Sequence, residues 1–185
     1  MSTQPLEQSM ATARSVLTGV NADQLDIQSP CAQWKVRDVV NHIVGGQQFF
    51  INAMQGKQPD GTEVDYASGD FVATFDELSQ QCVGAFQADG ALEQIVSLPF
   101  GDMPGRAVMG LAMTDVFTHA WDLAKATGQD TDLNPQLAGQ LLQGAQMMIQ
   151  PAFRSEDGAV FGPEQTAPEG ASNADKLAAF LGRTV

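Results

Sequence analysis

The second of the chain's two histidines lies between two carboxylates on a helix-forming segment. His119 belongs to residues 107–126, whose apolar residues recur with the 3.6-residue period of an amphipathic helix. Asp115 precedes it by four residues and Asp122 follows it by three, so both carboxylates lie beside the imidazole on one helix face. Burying these three groups is costly unless they pair with one another or bind a cation. Two interpretations stay open, a hydrogen-bonded polar cluster and a metal site.

The other histidine, His42, lies on the flank of the apolar stripe of a helix predicted for residues 36–54. By itself this position fits either an edge histidine with a local hydrogen bond or a ligand. Because facing helices of a bundle bring such side chains together, we take the two histidines as a candidate pair.

The side of residues 107–126 away from His119 carries Thr118 and Lys125, which predicts solvent or the rim of a site there.

The segments that must position these side chains are mostly helical. Apolar spacing of i, i+3 and i+4 predicts helices over residues 5–19, 36–54, 71–87, 106–127, 135–150 and 174–181. Residues 92–106 have some strand character, but their Pro- and Gly-rich part, 99–105, predicts a turn within a long crossover loop. Residues 56–69 and 154–172 are rich in Gly, Pro and polar residues and predict loops. Gly45-Gly46 in the second helix is tolerable where another backbone packs closely.

Composition restricts the class of protein. The 185 residues, 43% of them hydrophobic, suit one domain spanning 1–185. A net charge of -13 without any basic patch argues against nucleic-acid partners and against anionic membranes. The N-terminal residues lack the features of a signal peptide, no apolar run is long enough for a membrane span, and Cys31 and Cys82 lack a CxxC spacing. We therefore expect a cytoplasmic protein with reduced thiols, Cys82 being a core residue and Cys31 a structural or pocket residue of a loop.

Three stretches resemble a known family. Residues 29–42, SPCAQWKVRDVVNH, resemble the first signature of the mycothiol-dependent maleylpyruvate isomerase metal-binding domain family. Residues 118–128, THAWDLAKATG, resemble its second signature, and the tail from Leu177 to Arg183 is similar to the end of single-domain members. The resemblance implies an all-α fold, a DinB-like four-helix bundle, to which the chain adds a short C-terminal helix and a long crossover loop. It also implies a divalent metal between the helices.

Carried over by position, the family's ligands are His42, Asp115 and His119, with Asp in place of the more common Glu. Asp122 belongs to the motif and is expected to orient His119 without binding the metal. Two imidazoles and a carboxylate suit zinc, and also nickel or iron. Three protein ligands leave one position open, where a metal activates a thiol or a water.

Three functions therefore remain. The first is a metal-dependent transferase that takes mycothiol or a similar small thiol as cosubstrate and adds it to an electrophile or uses it transiently. The second is a metal-dependent hydrolase of the same fold. The third is a non-catalytic metal-binding or regulatory module. The two-domain isomerase has a separate C-terminal domain that helps bind its substrate and for which this chain is too short. The enzyme is therefore expected to be a thiol transferase or isomerase-like, and isomerase activity in particular is not assumed. The electrophile and the choice between a monomer and a homodimer stay open.

Overall fold

The computed structural model describes residues 2–31, 34–57, 62–154 and 161–185. That part of the chain contains six α-helices, one two-stranded antiparallel sheet and three short 3-10 turns. The helices and strands are α1 (Gln4–Thr18), α2 (Val36–Met54), α3 (Phe71–Gln87), β1 (Ile95–Leu98), β2 (Gly101–Pro104), α4 (Gly105–Thr127), α5 (Pro135–Met148) and α6 (Asn173–Phe180). The 3-10 turns are Ala22–Gln24, Tyr66–Ser68 and Pro151–Phe153.

All six predicted helices are present, with ends within two residues of the expected ones. Parts of three predicted features lie outside the described residues: 32–33 of the first signature, 58–61 of the first loop and 155–160 of the second.

Side chains and glycines fix the helix ends as the sequence indicates. At the start of α2, the Asp38 carboxylate accepts a hydrogen bond of 2.8 Å from the backbone N–H of Lys35. At the start of α6, the Ser172 hydroxyl oxygen accepts one of 3.0 Å from the backbone N–H of Asp175. Helix α4 ends at Gly128, whose φ of 72° is in the left-handed region that a glycine adopts at little cost. These local signals give the bundle helices defined lengths.

The expected crossover loop before α4 is largely a β-hairpin, so the prediction of a turn over residues 99–105 is wrong for 101–104. β1 pairs with β2 in antiparallel register, with Val96 opposite Met103 and Leu98 opposite Gly101. Val96 and Leu98 are buried against the bundle, which stabilises the hairpin. Its return to α4 requires Gly105, because a Cβ there would collide with the Ala91 carbonyl oxygen.

Helices α1 to α4 form a four-helix bundle around one apolar core, in which α1 packs against α4 and α3, and α2 packs against α3 and α4. Helices α5 and α6 form a second apolar cluster with Phe117 and Trp121 of α4. This is the all-α, DinB-like architecture expected from the sequence, with the hairpin as its only sheet among the described residues. In the same part of the chain, no helix has the length and apolar character needed to cross a bilayer.

The two polar residues predicted for solvent or a rim on α4 differ in their surroundings. Lys125 is exposed as expected, but Thr118 is only 4% exposed. Its hydroxyl donates a hydrogen bond of 2.7 Å to the Thr114 carbonyl, so the polar group is satisfied within its own helix. Thr118 lines a cavity together with His119, so it lies at the rim of a site, which is one of the two positions that the sequence predicts.

Candidate metal centre

Helices α2 and α4 bring His42, Asp115 and His119 together. His42 Nε2 lies 3.1 Å from Asp115 Oδ1, and His119 Nε2 lies 3.7 Å from the same oxygen. The two imidazole centroids are 4.5 Å apart, so the histidines face each other from neighbouring helices as the sequence predicts. One ligand atom from each of the three residues lies within 4.8 Å of the others. Asp115 thus reaches both imidazoles although its side chain is one methylene shorter than that of Glu.

The carboxylate of Asp115 is held in its charged form. Burial would raise its pKa, but the hydrogen bond with His42 and the charges of His42, His119 and Arg183 together lower it below the ordinary value. Burial likewise acts to lower the pKa of His42, and the bond to Asp115 outweighs it and raises the pKa. An ionised carboxylate between two imidazoles is a ready anionic donor for a cation.

Behind the imidazole of His119 lies Asp122, which is fully buried. Asp122 Oδ2 lies 3.0 Å from His119 Nδ1. Burial would raise the pKa of Asp122, but the bond with His119 and the charge of Arg183 lower it, so the carboxylate only accepts hydrogen bonds. In the neutral imidazole of His119, the proton is therefore on Nδ1 and the lone pair is on Nε2, the nitrogen nearest Asp115. This is the contact by which Asp122 is expected to orient His119.

Arg183, which the sequence analysis did not select, completes this chain of charges from the C-terminal segment. Its Nη2 and Nε lie 3.0 and 3.3 Å from the two oxygens of Asp122. The same guanidinium donates to the Leu181 carbonyl at 3.1 Å and to the Cys31 sulfur at 3.5 Å. The one signal in the sequence was its place in the tail that resembles single-domain members.

Trp34 was also missed as a site residue, although it belongs to the first signature stretch. Its ring lies 4.8 Å from the His42 ring and 5.4 Å from the His119 ring, between centroids. Residues just before a helix have no periodicity that would predict their direction. The indole therefore packs against both imidazoles and restrains them.

Cys31 belongs to a second group of nearby ligand atoms, together with His119 and Asp122. Burial and the charge of Asp122 raise the pKa of the Cys31 thiol to about 11, so it is protonated at neutral pH. Arg183 already supplies the positive charge beside this group. A metal ion fits the group of His42, Asp115 and His119 better, since among the described residues no arginine or lysine is hydrogen-bonded to that group.

A cavity of about 540 Å³ opens beside these three residues, all of which line it. Its wall comes from α2, α4, the tip of the hairpin and the C-terminal segment, including Arg183. Such a volume lies within the roughly 300–1,000 Å³ of small-molecule sites. The arrangement can therefore hold a cation and admit a small ligand next to it.

The chain has similar proteins in Mycobacterium tuberculosis and matches one family model. Two Mycobacterium tuberculosis proteins, from strains CDC 1551 / Oshkosh and H37Rv, are each 41% identical to the chain over 176 residues, 92% of this chain and 91% of theirs. Both carry the description "uncharacterized protein". No solved structure matches the chain significantly. The model of the mycothiol maleylpyruvate isomerase N-terminal domain matches residues 6–124, which include the site residues of α2 and α4. The chain therefore belongs to this family of mycothiol-related, metal-binding domains.

Proposed function

We propose that the chain is a metal-dependent S-transferase, which joins a low-molecular-weight thiol such as mycothiol to a small electrophile. The observation that carries this proposal is the position of His42, Asp115 and His119 together at the wall of a cavity. Three protein donors leave one position for an outside ligand, as in catalytic zinc sites and unlike closed structural ones. Membership of a mycothiol-related family favours a thiol as that ligand.

The donor groups fit a divalent ion. Two imidazoles and one carboxylate suit zinc best, and also nickel or iron. Zinc–nitrogen bonds of about 2.0–2.1 Å place the donors of a tetrahedral site roughly 3–3.5 Å apart. Asp115 Oδ1 already lies 3.1 and 3.7 Å from the two histidine nitrogens, so small side-chain movements suffice. When bound, the ion would supply a positive centre that lowers the pKa of a coordinating thiol.

The residues of the chain would prepare the site for an anionic ligand. One carboxylate and two neutral imidazoles leave a divalent centre with a net charge near +1. The charge of -13 elsewhere on the protein repels anions, so capture depends on this local centre. Asp122 and Arg183 hold His119 with Nε2 toward Asp115, and Trp34 restrains both imidazoles.

In the proposed reaction, the thiol proton goes to solvent and the sulfur electron pair forms a bond to the electrophilic carbon. The leaving group departs with the electrons of its own bond. Neither cysteine of the chain is suited to be this nucleophile, because burial raises the pKa of Cys31 to about 11 and that of Cys82 to about 12. Since neither cysteine forms a disulfide, we further propose a cytoplasmic setting. The net charge of -13 favours small molecules as partners, and not nucleic acid or membranes.

The test is a titration of the cobalt-loaded protein with mycothiol. We expect release of about one proton per chain and a thiolate-to-cobalt absorption band, both lost in His119→Ala. Neither signal, with cobalt verified as bound, would refute thiol activation. It would leave metal-dependent hydrolysis or a non-catalytic binding role as the function of the site.

A further inference from the structure

Most of the cavity wall beside the three donor groups is apolar. Its hydrophobic residues come from α2, α4, the hairpin tip and the C-terminal segments, and they are Phe49, Phe50, Leu111, Phe100, Phe161 and Leu181. An apolar wall with a few polar groups at one place holds a ligand by burial and orients it by the polar groups. Here the polar place is the group of His42, Asp115 and His119.

Apart from the proposed metal centre, which the thiolate would occupy, no cation of the described lining is free to pair with a second, acidic ligand. Among the described residues that line it, Arg183 is the one permanent positive charge. Its guanidinium is already directed to both oxygens of Asp122, to the Leu181 carbonyl and to the Cys31 sulfur. A ligand with two carboxylates would have to break these bonds or leave its charge unpaired, which is costly in a buried site. The wall therefore favours an uncharged ligand.

The two glycines of the Gly45-Gly46 pair in α2 differ in their surroundings. A Cβ at Gly45 would lie 3.3 Å from the Tyr66 ring, so a close neighbour restricts this position, although it is a side chain and not a backbone. A Cβ at Gly46 would meet only Asp115 Oδ2, at 3.7 Å, which is ordinary contact. Packing does not require a glycine at 46, yet glycine in a helix costs about 1 kcal/mol relative to alanine. What the missing side chain provides there is room in the cavity beside Asp115.

Phe100 lies in the two-residue turn of the hairpin and is 66% exposed, although it lines the cavity. An exposed aromatic ring at the edge of an apolar cavity gains contact when a ligand with its own apolar surface enters. Phe49 and Phe50 offer further rings on the α2 side. This aromatic lining suits a planar ring better than a flexible polar chain.

We propose that the cavity takes an uncharged, ring-bearing molecule. This molecule fills the room that the missing side chain of Gly46 leaves, and its ring packs against Phe100. That this molecule is the electrophile of the transfer rests on the function proposed above. With benzyl chloride, for example, the thiol sulfur would bond to the CH₂ carbon and chloride would leave with the C–Cl electrons. The thiol proton would go to solvent.

The experiment first measures binding alone, in metal-free protein, with the neutral fluorescent probe N-phenyl-1-naphthylamine. We expect one saturable site per chain, with an affinity lowered about 5- to 100-fold in Gly46→Leu, since overpacking a filled site typically costs about that factor. Gly46→Ala should have a smaller effect of the same sign, and thermal unfolding checks that both variants fold. Gly84→Leu is the matched control, because Gly84 is an exposed glycine inside α3 with nothing within 4 Å of an added Cβ.

Absence of saturable binding, equal binding by Gly46→Leu and the wild type, or displacement of the probe by succinate would overturn the proposal. A second arm compares benzyl chloride with chloroacetate in the metal-loaded protein with thiol, each relative to its uncatalysed rate. We expect a preference of about 10–100-fold for benzyl chloride from burial of its ring. Turnover without that preference would refute the ring-bearing substrate. Probe binding that Gly46→Leu weakens, without any turnover, would refute the transferase and keep the cavity as an apolar binding site.

Discussion

Replacing Arg183 with methionine should destabilise the protein far more than the same change at Arg14, although both arginines pair with an aspartate. Arg14 lies 2.6 and 2.8 Å from the oxygens of Asp76, closer than Arg183 lies to Asp122, but the side chains of that pair are 51% and 34% exposed. The side chains of Arg183 and Asp122 are 12% and 0% exposed. If burial and not distance decides the contribution of an ion pair, the two variants must differ.

The expected magnitude follows from what remains after the change. Arg183→Met leaves the Asp122 carboxylate buried, with His119 as its remaining partner in the site. Removing one partner of a buried pair costs about 3–5 kcal/mol, and protonation of the carboxyl relieves part of this, so we expect about 3 kcal/mol. For a chain of this length, that corresponds to a fall in Tm of roughly 6–12 °C. The Arg14→Met variant should unfold at a denaturant concentration close to that of the wild type, because water screens the exposed pair.

The assay is urea unfolding at pH 7 with a chelator present, so that metal loss does not contribute. A double-mutant cycle with Asp122→Asn isolates the pair: once the carboxylate is neutral, Arg183→Met should cost at least about 2 kcal/mol less than in the wild type. Equal unfolding midpoints for the Arg183 and Arg14 variants, or strict additivity in the cycle, would refute the reasoning from burial.

Three further predictions concern the metal site and the core. His119→Ala should abolish zinc binding in calorimetry while circular dichroism stays helical, and Asp122→Asn should weaken binding only about 10–100-fold; total loss in both would show that Asp122 is itself a ligand. Because burial raises the pKa of Cys82 from 9.0 to about 12, the native state keeps a proton that the unfolded state releases. The free energy of unfolding should therefore fall between pH 9 and 12 by about 1.4 kcal/mol per pH unit more than in Cys82→Ala, and parallel pH curves would contradict this. Gln47 is 1% exposed, and its amide nitrogen donates to the Ile43 carbonyl at 3.0 Å, while its side-chain oxygen has no partner among the described residues. Gln47→Leu should therefore leave the free energy of unfolding in urea unchanged or raise it. A fall of that free energy by more than about 1 kcal/mol would be evidence against this.

The helices were predictable because their signals are local. Apolar spacing predicted their ends to within two residues, and local caps such as Ser172 hold those ends in the structure. The i, i+4 and i, i+3 spacing placed Asp115 and Asp122 beside His119, and the structure shows both contacts. His42 needed more, since its flanking position also fits an edge histidine. A second histidine on another amphipathic helix made the two a candidate pair, and the family resemblance made His42 a candidate ligand.

The remaining features depend on contacts between distant segments. Phe117 and Trp121 are buried because α5 and α6 cover that side of α4, and periodicity predicts a face of a helix but not its neighbours. The strand over 101–104 forms because Val96 and Leu98 of its partner pack on the bundle, although its own residues, Gly-Asp-Met-Pro, are poor strand formers. Trp34 and Arg183 reach the site from segments outside the helices, whose direction no spacing rule fixes.

The central claim is that His42, Asp115 and His119 hold one divalent ion. Its most direct test is elemental analysis of untagged protein, purified without chelator, incubated with equimolar zinc and then desalted. The account predicts about one zinc per chain in the wild type and almost none in His42→Ala or His119→Ala, with Arg14→Met retaining the wild-type content. A wild-type protein that retains no zinc, or histidine variants that retain as much as the wild type, would contradict it.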